Sequence, residues 1–206
     1  MAQACARVGR DPATVTLLAV TKSVSLDVVR AAIQLGLTEL AENRVQEAEA
    51  KITDLPQARW QLVGHLQSNK AGKAVELFDC IQSVDSLELA QRIARLALDA
   101  GKAPYPIYVQ VNVDNDEAKA GFSAHSLEAS LPAIAALPGL ELRGLMTVGR
   151  LAGRAEDARP TFGALRELSQ RLRKRDARLG PELSMGMSDD FEIAIEELAS
   201  VVRVGR

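Results

Sequence analysis

Lys22 stands two residues beyond the apolar run Leu17-Leu18-Ala19-Val20. An ammonium group beside a buried strand end is costly unless it reaches water or meets a carboxylate. Two roles are open to it. Its stem can snorkel past apolar surface to solvent, or a dry pocket can hold the amine partly neutral, as a nucleophile toward an aldehyde. Two further stretches bear on the choice. In "LSMGMSDD", residues 183–190, Gly186 permits close backbone approach and Ser188 with Asp189 is placed to open a helix. Backbone N–H groups at a helix start bind phosphate, although Ser188 would serve equally as an ordinary N-cap. In "VRVGR", residues 202–206, Arg203 and Gly205 share one face of a strand and the valines take the other. Arg203 then lines a site or closes a salt bridge at the bottom of the fold. His65, in "GHLQSNK", residues 64–70, is a candidate general base or a histidine bonded to backbone. His125 falls in a predicted polar loop and is assigned no role. The acidic residues show no metal-ligand spacing, so no metal is expected.

These residues need elements to hold them. Short apolar runs alternate with longer stretches of helical period, as a parallel α/β fold requires. Strands are predicted at 15–20, 39–42, 60–64, 80–84, 107–113, 142–148, 183–186 and 201–205. Helices are predicted from the Ser25 cap to the Gly36 stop and at 44–55, 70–78, 86–100, 126–137, 158–179 and 190–198. No composition break marks a linker. A (β/α)8 TIM barrel closes at eight strands in about 200 residues or more, whereas open doubly wound sheets usually stop earlier. The expectation is one single-domain barrel over residues 1–206. The chain stops directly after strand eight. Either the helix predicted at 2–8 stands in for a missing eighth helix, or the chain has been trimmed.

Composition excludes several function classes. The 206 residues are 47% hydrophobic and 25% charged, enough for one sizeable core. A net charge of -2 argues against nucleic acid or an anionic membrane as partner. The basic run 171–175 sits late in a predicted helix, where cations complement the helix dipole on a solvated face. Aromatic residues make up 3%, too few for a base-stacking surface. Cys5 and Cys80 are far apart and form no CxxC, so a reducing cytoplasm without a structural disulfide is expected. No apolar run approaches a membrane span, and no signal peptide opens the chain.

In such barrels the site lies at the C-terminal ends of the strands, with phosphate held after strands seven and eight. Lys22, after strand one, would then face a cradle of Ser188 and Gly205, with Arg203 between them. A ligand with an aldehyde at one end and a phosphate at the other fits this arrangement. Pyridoxal 5′-phosphate (PLP) has that shape. A Schiff-base aldolase acting on a sugar phosphate, without a cofactor, is a competing reading.

The stretches "AVTKSV" (19–24), "ENRVQE" (42–47), "WQLVGHLQSNK" (60–70), "SVDS" (83–86), "QVNVDNDEAKAGF" (110–122), "LRGLMTVG" (142–149), "LSMGMSDDFEIAI" (183–195) and "VRVG" (202–205) run in order over nearly the whole chain. With them the chain resembles the pyridoxal phosphate homeostasis protein family, single-domain relatives of the alanine racemase barrel. The resemblance implies an alanine racemase N-terminal-domain-like barrel that carries PLP, buffers and delivers it, and has no well-established turnover. The racemases' large C-terminal β-domain is not expected in 206 residues. Residue by residue, it implies that Lys22 is the Schiff-base lysine and Ser188 the phosphate-binding serine. Gly205 and Arg206 supply backbone amides to phosphate, Arg203 faces the pyridine nitrogen, and Asn43 and Met146 line the ring. Two positions depart from the family pattern: Arg44 replaces a usual aromatic residue, and Arg206 a common small hydroxyl residue. The family usually extends beyond position 206, which adds to the expectation of trimming.

An arginine at the pyridine nitrogen keeps its own proton, so the nitrogen stays neutral and the ring is a weaker electron sink. That fits a carrier better than a broad transaminase, without excluding racemisation; the expected form is a cytoplasmic monomer with apo-PLP enzymes as recipients. The alternative is a low-activity PLP-dependent amino-acid racemase or lyase. It needs a second base besides Lys22, and His65 is the one candidate.

Overall fold

Eight parallel strands close in sequence order into one barrel in the computed structural model of the protein, in which residues 1–149 and 154–205 are described. They are β1 Thr16–Val20, β2 Glu39–Glu42, β3 Arg59–Leu62, β4 Cys80–Val84, β5 Tyr105–Gln110, β6 Leu140–Met146, β7 Glu182–Ser184 and β8 Val201–Val204. One helix returns the chain between each successive pair: α2 Leu26–Gln34, α3 Val45–Asp54, α4 Ala71–Leu77, α5 Leu87–Asp99, α6 Ala124–Ala135, α7 Arg159–Arg175 and α8 Phe191–Glu196. The predicted (β/α)8 barrel is the observed fold. Helix α1, Ala2–Arg7, packs against α8, where Arg7 bridges Glu192 and Glu196 at 2.6 Å each.

Burial follows from strands covered on both faces. An inner cluster of Leu18, Ala41, Cys80, Tyr108, Met146 and Val201 fills the barrel. A larger outer layer, including Trp60, Phe78, Ile93 and Phe162, lies between strands and helices. Cys5 and Cys80 are free and buried, and burial pushes the Cys80 thiol well up.

Several boundaries differ from expectation for local reasons. β6 begins at Leu140, directly after a turn at Gly139 with φ +83°. β5 ends at Gln110, because the Asn112 side chain then bonds the Asp116 and Lys119 carbonyls and turns the chain. α6 starts at Ala124, since the Ser123 hydroxyl accepts from the Ser126 N–H at 3.1 Å. His125 therefore lies in a helical first turn, not a loop. α7 stops at Arg175, and its basic run is more than a solvated face: Arg171 and Arg175 reach Glu128 of α6 at 2.8 and 3.1 Å.

At the seam between β1 and β8, a Cβ built on Gly205 would lie 2.1 Å from the Val20 carbonyl oxygen. Only glycine fits there. No helix among the described residues is long and apolar enough to cross a membrane.

Candidate functional site

A cavity of about 280 Å³ opens at the C-terminal end of the barrel. Lys22, Asn43, His65, Gln110, Arg203 and Gly205 line it, and Val20, Val63 and Val148 contribute apolar wall. Lys22, just past β1, is half-buried and has no ion-pair or hydrogen-bond partner among the described residues.

Arg203 projects from β8 and is 5% exposed. Its Nη1 donates to Ser184 Oγ and its Nη2 to the Thr147 carbonyl, each at 2.8 Å. Burial pushes its pKa down to about 10, opposed by the Asp190 charge. Among the described residues no carboxylate pairs with it, and its partners are Ser184 and the Thr147 carbonyl rather than a salt bridge at the barrel bottom. That end has its own network, in which Tyr108 donates to Glu182, Arg143 pairs with Glu182, and Arg59 lies 3.6 Å from Glu39.

Ser188 and Gly205 meet across two loops: the Gly205 N–H donates to Ser188 Oγ at 3.3 Å. Ser188 does not open a helix. The backbone reverses at Gly186, φ +93°, and Asp190 Oδ1 accepts from the Met187 N–H at 2.6 Å. α8 consequently starts at Phe191, with Asp190 as its cap residue. That leaves the Ser188 hydroxyl beside Gly205.

Asn43 lies on the cavity wall, one residue past β2. Met146 is fully buried in the inner cluster, and Val148, two positions further along the same face, lines the cavity. Arg206 lies outside the described residues. Arg44 lines a neighbouring pocket with Lys70 and pairs with Glu47 at 3.1 Å. The His65 Nδ1 is 3.0 Å from Asp85 Oδ2, so its partner is a carboxylate rather than backbone.

Sequence reasoning missed the support of the Lys22 loop. Glu42 is fully buried, and its Oε1 accepts from Thr21 Oγ1 at 2.6 Å and from Lys51 Nζ at 2.7 Å. Lys51 also donates to the Thr21 carbonyl at 2.6 Å, which ties the residue before Lys22 to α3. A glutamate closing an apolar strand was the available signal. Glu42 Oε2 already lacks a partner. Lys51→Met should therefore leave an uncompensated buried carboxylate and cost about 3 kcal/mol, the lower end for a broken buried pair because Lys51 is partly exposed. Urea unfolding measures this, and a loss within experimental error would show that the pair does not hold the loop.

The model of the alanine racemase N-terminal domain matches residues 3–206. A pyridoxal phosphate homeostasis protein of Pseudomonas aeruginosa is 42% identical over 98% of this chain and 87% of its own length. One from Synechocystis is 38% identical over 94% of this chain and 90% of its own. The solved structure of PipY from Synechococcus elongatus with PLP bound superposes with a TM-score of 0.89 at 40% identity, covering 99% of this chain and 97% of that one. The alanine racemase of Clostridium difficile, 13% identical with a TM-score of 0.76 and 56% of its chain covered, shares the fold. With a match over nearly its whole length and relatives well above 30% identity, the chain belongs to the alanine racemase N-terminal domain family.

Proposed function

We propose that this chain is a PLP-binding protein of intracellular PLP homeostasis, a single-domain carrier that buffers and delivers the cofactor. One observation carries the reading: an amine without a partner, a buried guanidinium and the Ser188–Gly205 junction gather at one cavity mouth. Relatives named for PLP homeostasis, and a close structural neighbour with PLP bound, support it. The residues suit the group chemically. Lys22 is free to bond an aldehyde carbon, and the glycine that crowds Val20 leaves its amide bare of side chain.

PLP, when bound, supplies an aldehyde and an electron-withdrawing ring. Lys22 holds the aldehyde end. Ser188 Oγ and the Gly205 amide would hold the phosphate. Arg203 stays protonated at neutral pH even with its lowered pKa, and faces the ring nitrogen as a donor without giving up its proton. Asn43 flanks the ring. Apo-PLP enzymes are the proposed recipients, and a cytoplasmic monomer the proposed form. A second reading, a weak racemase or lyase, has one observation in its favour: His65, oriented by Asp85, lines the same cavity.

The test is a visible spectrum of the full chain with PLP, before and after borohydride. A visible band that borohydride bleaches is expected. Its absence would sink the PLP reading and revive a cofactor-free aldolase.

Ser188→Ala is expected to weaken PLP retention by about 0.5–2 kcal/mol, the range from a neutral to a charge-assisted hydrogen bond. The loss stays modest because backbone amides persist. Equilibrium dialysis measures it, and unchanged affinity would remove Ser188 from the cradle.

A further inference from the structure

The inside of the barrel is crossed by a line of polar side chains that ends far from the cavity. Arg203 Nη1 donates to Ser184 Oγ at 2.8 Å, and Ser184 Oγ donates to Gln82 Oε1 at 2.6 Å. Gln82 Nε2 donates to Gln61 Oε1 at 2.6 Å, and Gln61 Nε2 donates to Glu39 Oε2 at 2.9 Å. Arg203, Ser184, Gln82 and Gln61 are all buried. Glu39 is half-buried at the opposite mouth, where its other oxygen faces Arg59 at 3.6 Å.

The two ends fix the direction of every bond between them. A guanidinium only donates, and an ionised carboxylate only accepts. Glu39 takes the Gln61 amide nitrogen, which turns the Gln61 oxygen to Gln82 and the Gln82 oxygen to Ser184, so Ser184 gives its one hydroxyl proton to Gln82 and accepts from Arg203. Neither amide can flip without setting two donors or two acceptors against each other. A buried cation normally needs a carboxylate in contact. Among the described residues Arg203 has none in contact, and receives instead the Ser184 hydroxyl oxygen and the Thr147 carbonyl, the first of them aligned by dipoles that polarise one another in a low-dielectric interior.

We infer that Glu39, Gln61, Gln82 and Ser184 form one positioning relay that holds the Arg203 guanidinium in place from the far end of the barrel. Its consequence for the cofactor rests on the proposal that Arg203 faces the pyridine nitrogen; the relay itself does not.

Two variants test it. Gln82→Met cuts the line with a side chain of similar shape, and Glu39→Gln removes the acceptor-only end at a half-buried position that threatens the fold little. In ¹⁵N-labelled full chain without PLP, hydrogen exchange at the Arg203 Nε–H, assigned with Arg203→Lys, is the readout. Exchange should quicken about three- to tenfold in Gln82→Met, as when a neutral hydrogen bond, here Ser184 to Gln82, is lost, and about two- to threefold in Glu39→Gln, where only the polarisation weakens. Thermal melts confirm that each variant is folded. With PLP added, the visible band of Gln82→Met should move relative to wild type. Unchanged exchange in both folded variants overturns the relay, and a change confined to Gln82→Met removes Glu39 from it. A wild-type chain that takes up no PLP defeats the functional reading and leaves the exchange result standing.

Discussion

Lys22→Ala protein, incubated with PLP and treated with borohydride, is expected to carry no pyridoxyl label, while the wild-type chain carries it on Lys22 alone. The expectation rests on the place of Lys22 in the cavity and on the partners of three other lysines. Lys51 is committed to Glu42 and the Thr21 carbonyl. Lys73 sits between Glu49 and Glu76 at 2.9 and 3.0 Å, and hydrogen bonds to both hold its ammonium form above the usual lysine range. Lys119 donates to the Gly149 carbonyl at 3.1 Å and lies 3.7 Å from Asp116. A lysine attacks an aldehyde as the neutral amine, so the two glutamates around Lys73 oppose the reaction there. Lys22 alone lines the cavity, beside Arg203. Some PLP should stay bound to Lys22→Ala through Ser188 and Gly205, seen by dialysis but lost on denaturation. Peptide mapping of the reduced wild-type protein decides the matter: an adduct solely on Lys70 or Lys73 would overturn the assignment.

The barrel was legible because strands buried on both faces read as short apolar runs, and the helices between them carry a 3.6-residue stripe. Lys22, Arg203 and Gly205 were legible for the same reason, since a strand end named in sequence is a place at the mouth. What escaped was settled by side chains acting on backbone. Ser123 moved the start of α6, and Asp190 took the cap position that Ser188 was expected to fill. With β6 ending at Met146, the face that Met146 begins is completed at the mouth by Val148. The polar line was hidden for another reason. Gln61 and Gln82 stand out in sequence only as polar residues within apolar strands, and Ser184 and Gln82 are 102 positions apart. Only barrel closure brings them into contact.

Carrier and enzyme separate on one quantity, the rate at which a bound amino acid loses its α-proton. Arg203 keeps its proton at neutral pH, so a ring nitrogen facing it stays neutral and stabilises a carbanion poorly. Racemisation also needs a second base across the ring. Tyr108 is excluded, because its hydroxyl donates to Glu182 at the opposite end of the barrel and burial raises its pKa far above the working range. His65 is the remaining candidate; its ring is largely exposed, with Asp85 as its partner. A solvent-exposed base works without the dry surroundings that make proton transfer efficient. The same openness allows PLP to leave. Mixed with an apo-PLP enzyme, the loaded chain should restore that enzyme's activity. In heavy water, NMR should show α-proton exchange of common amino acids at least about a thousandfold below an ordinary turnover of about 10 s⁻¹. His65→Asn should change neither result. Fast exchange that His65→Asn abolishes would make His65 the second base and replace the carrier with a racemase. Failure to reactivate the apo-enzyme would leave storage without delivery, because a PLP held too tightly to leave is buffered but never handed on.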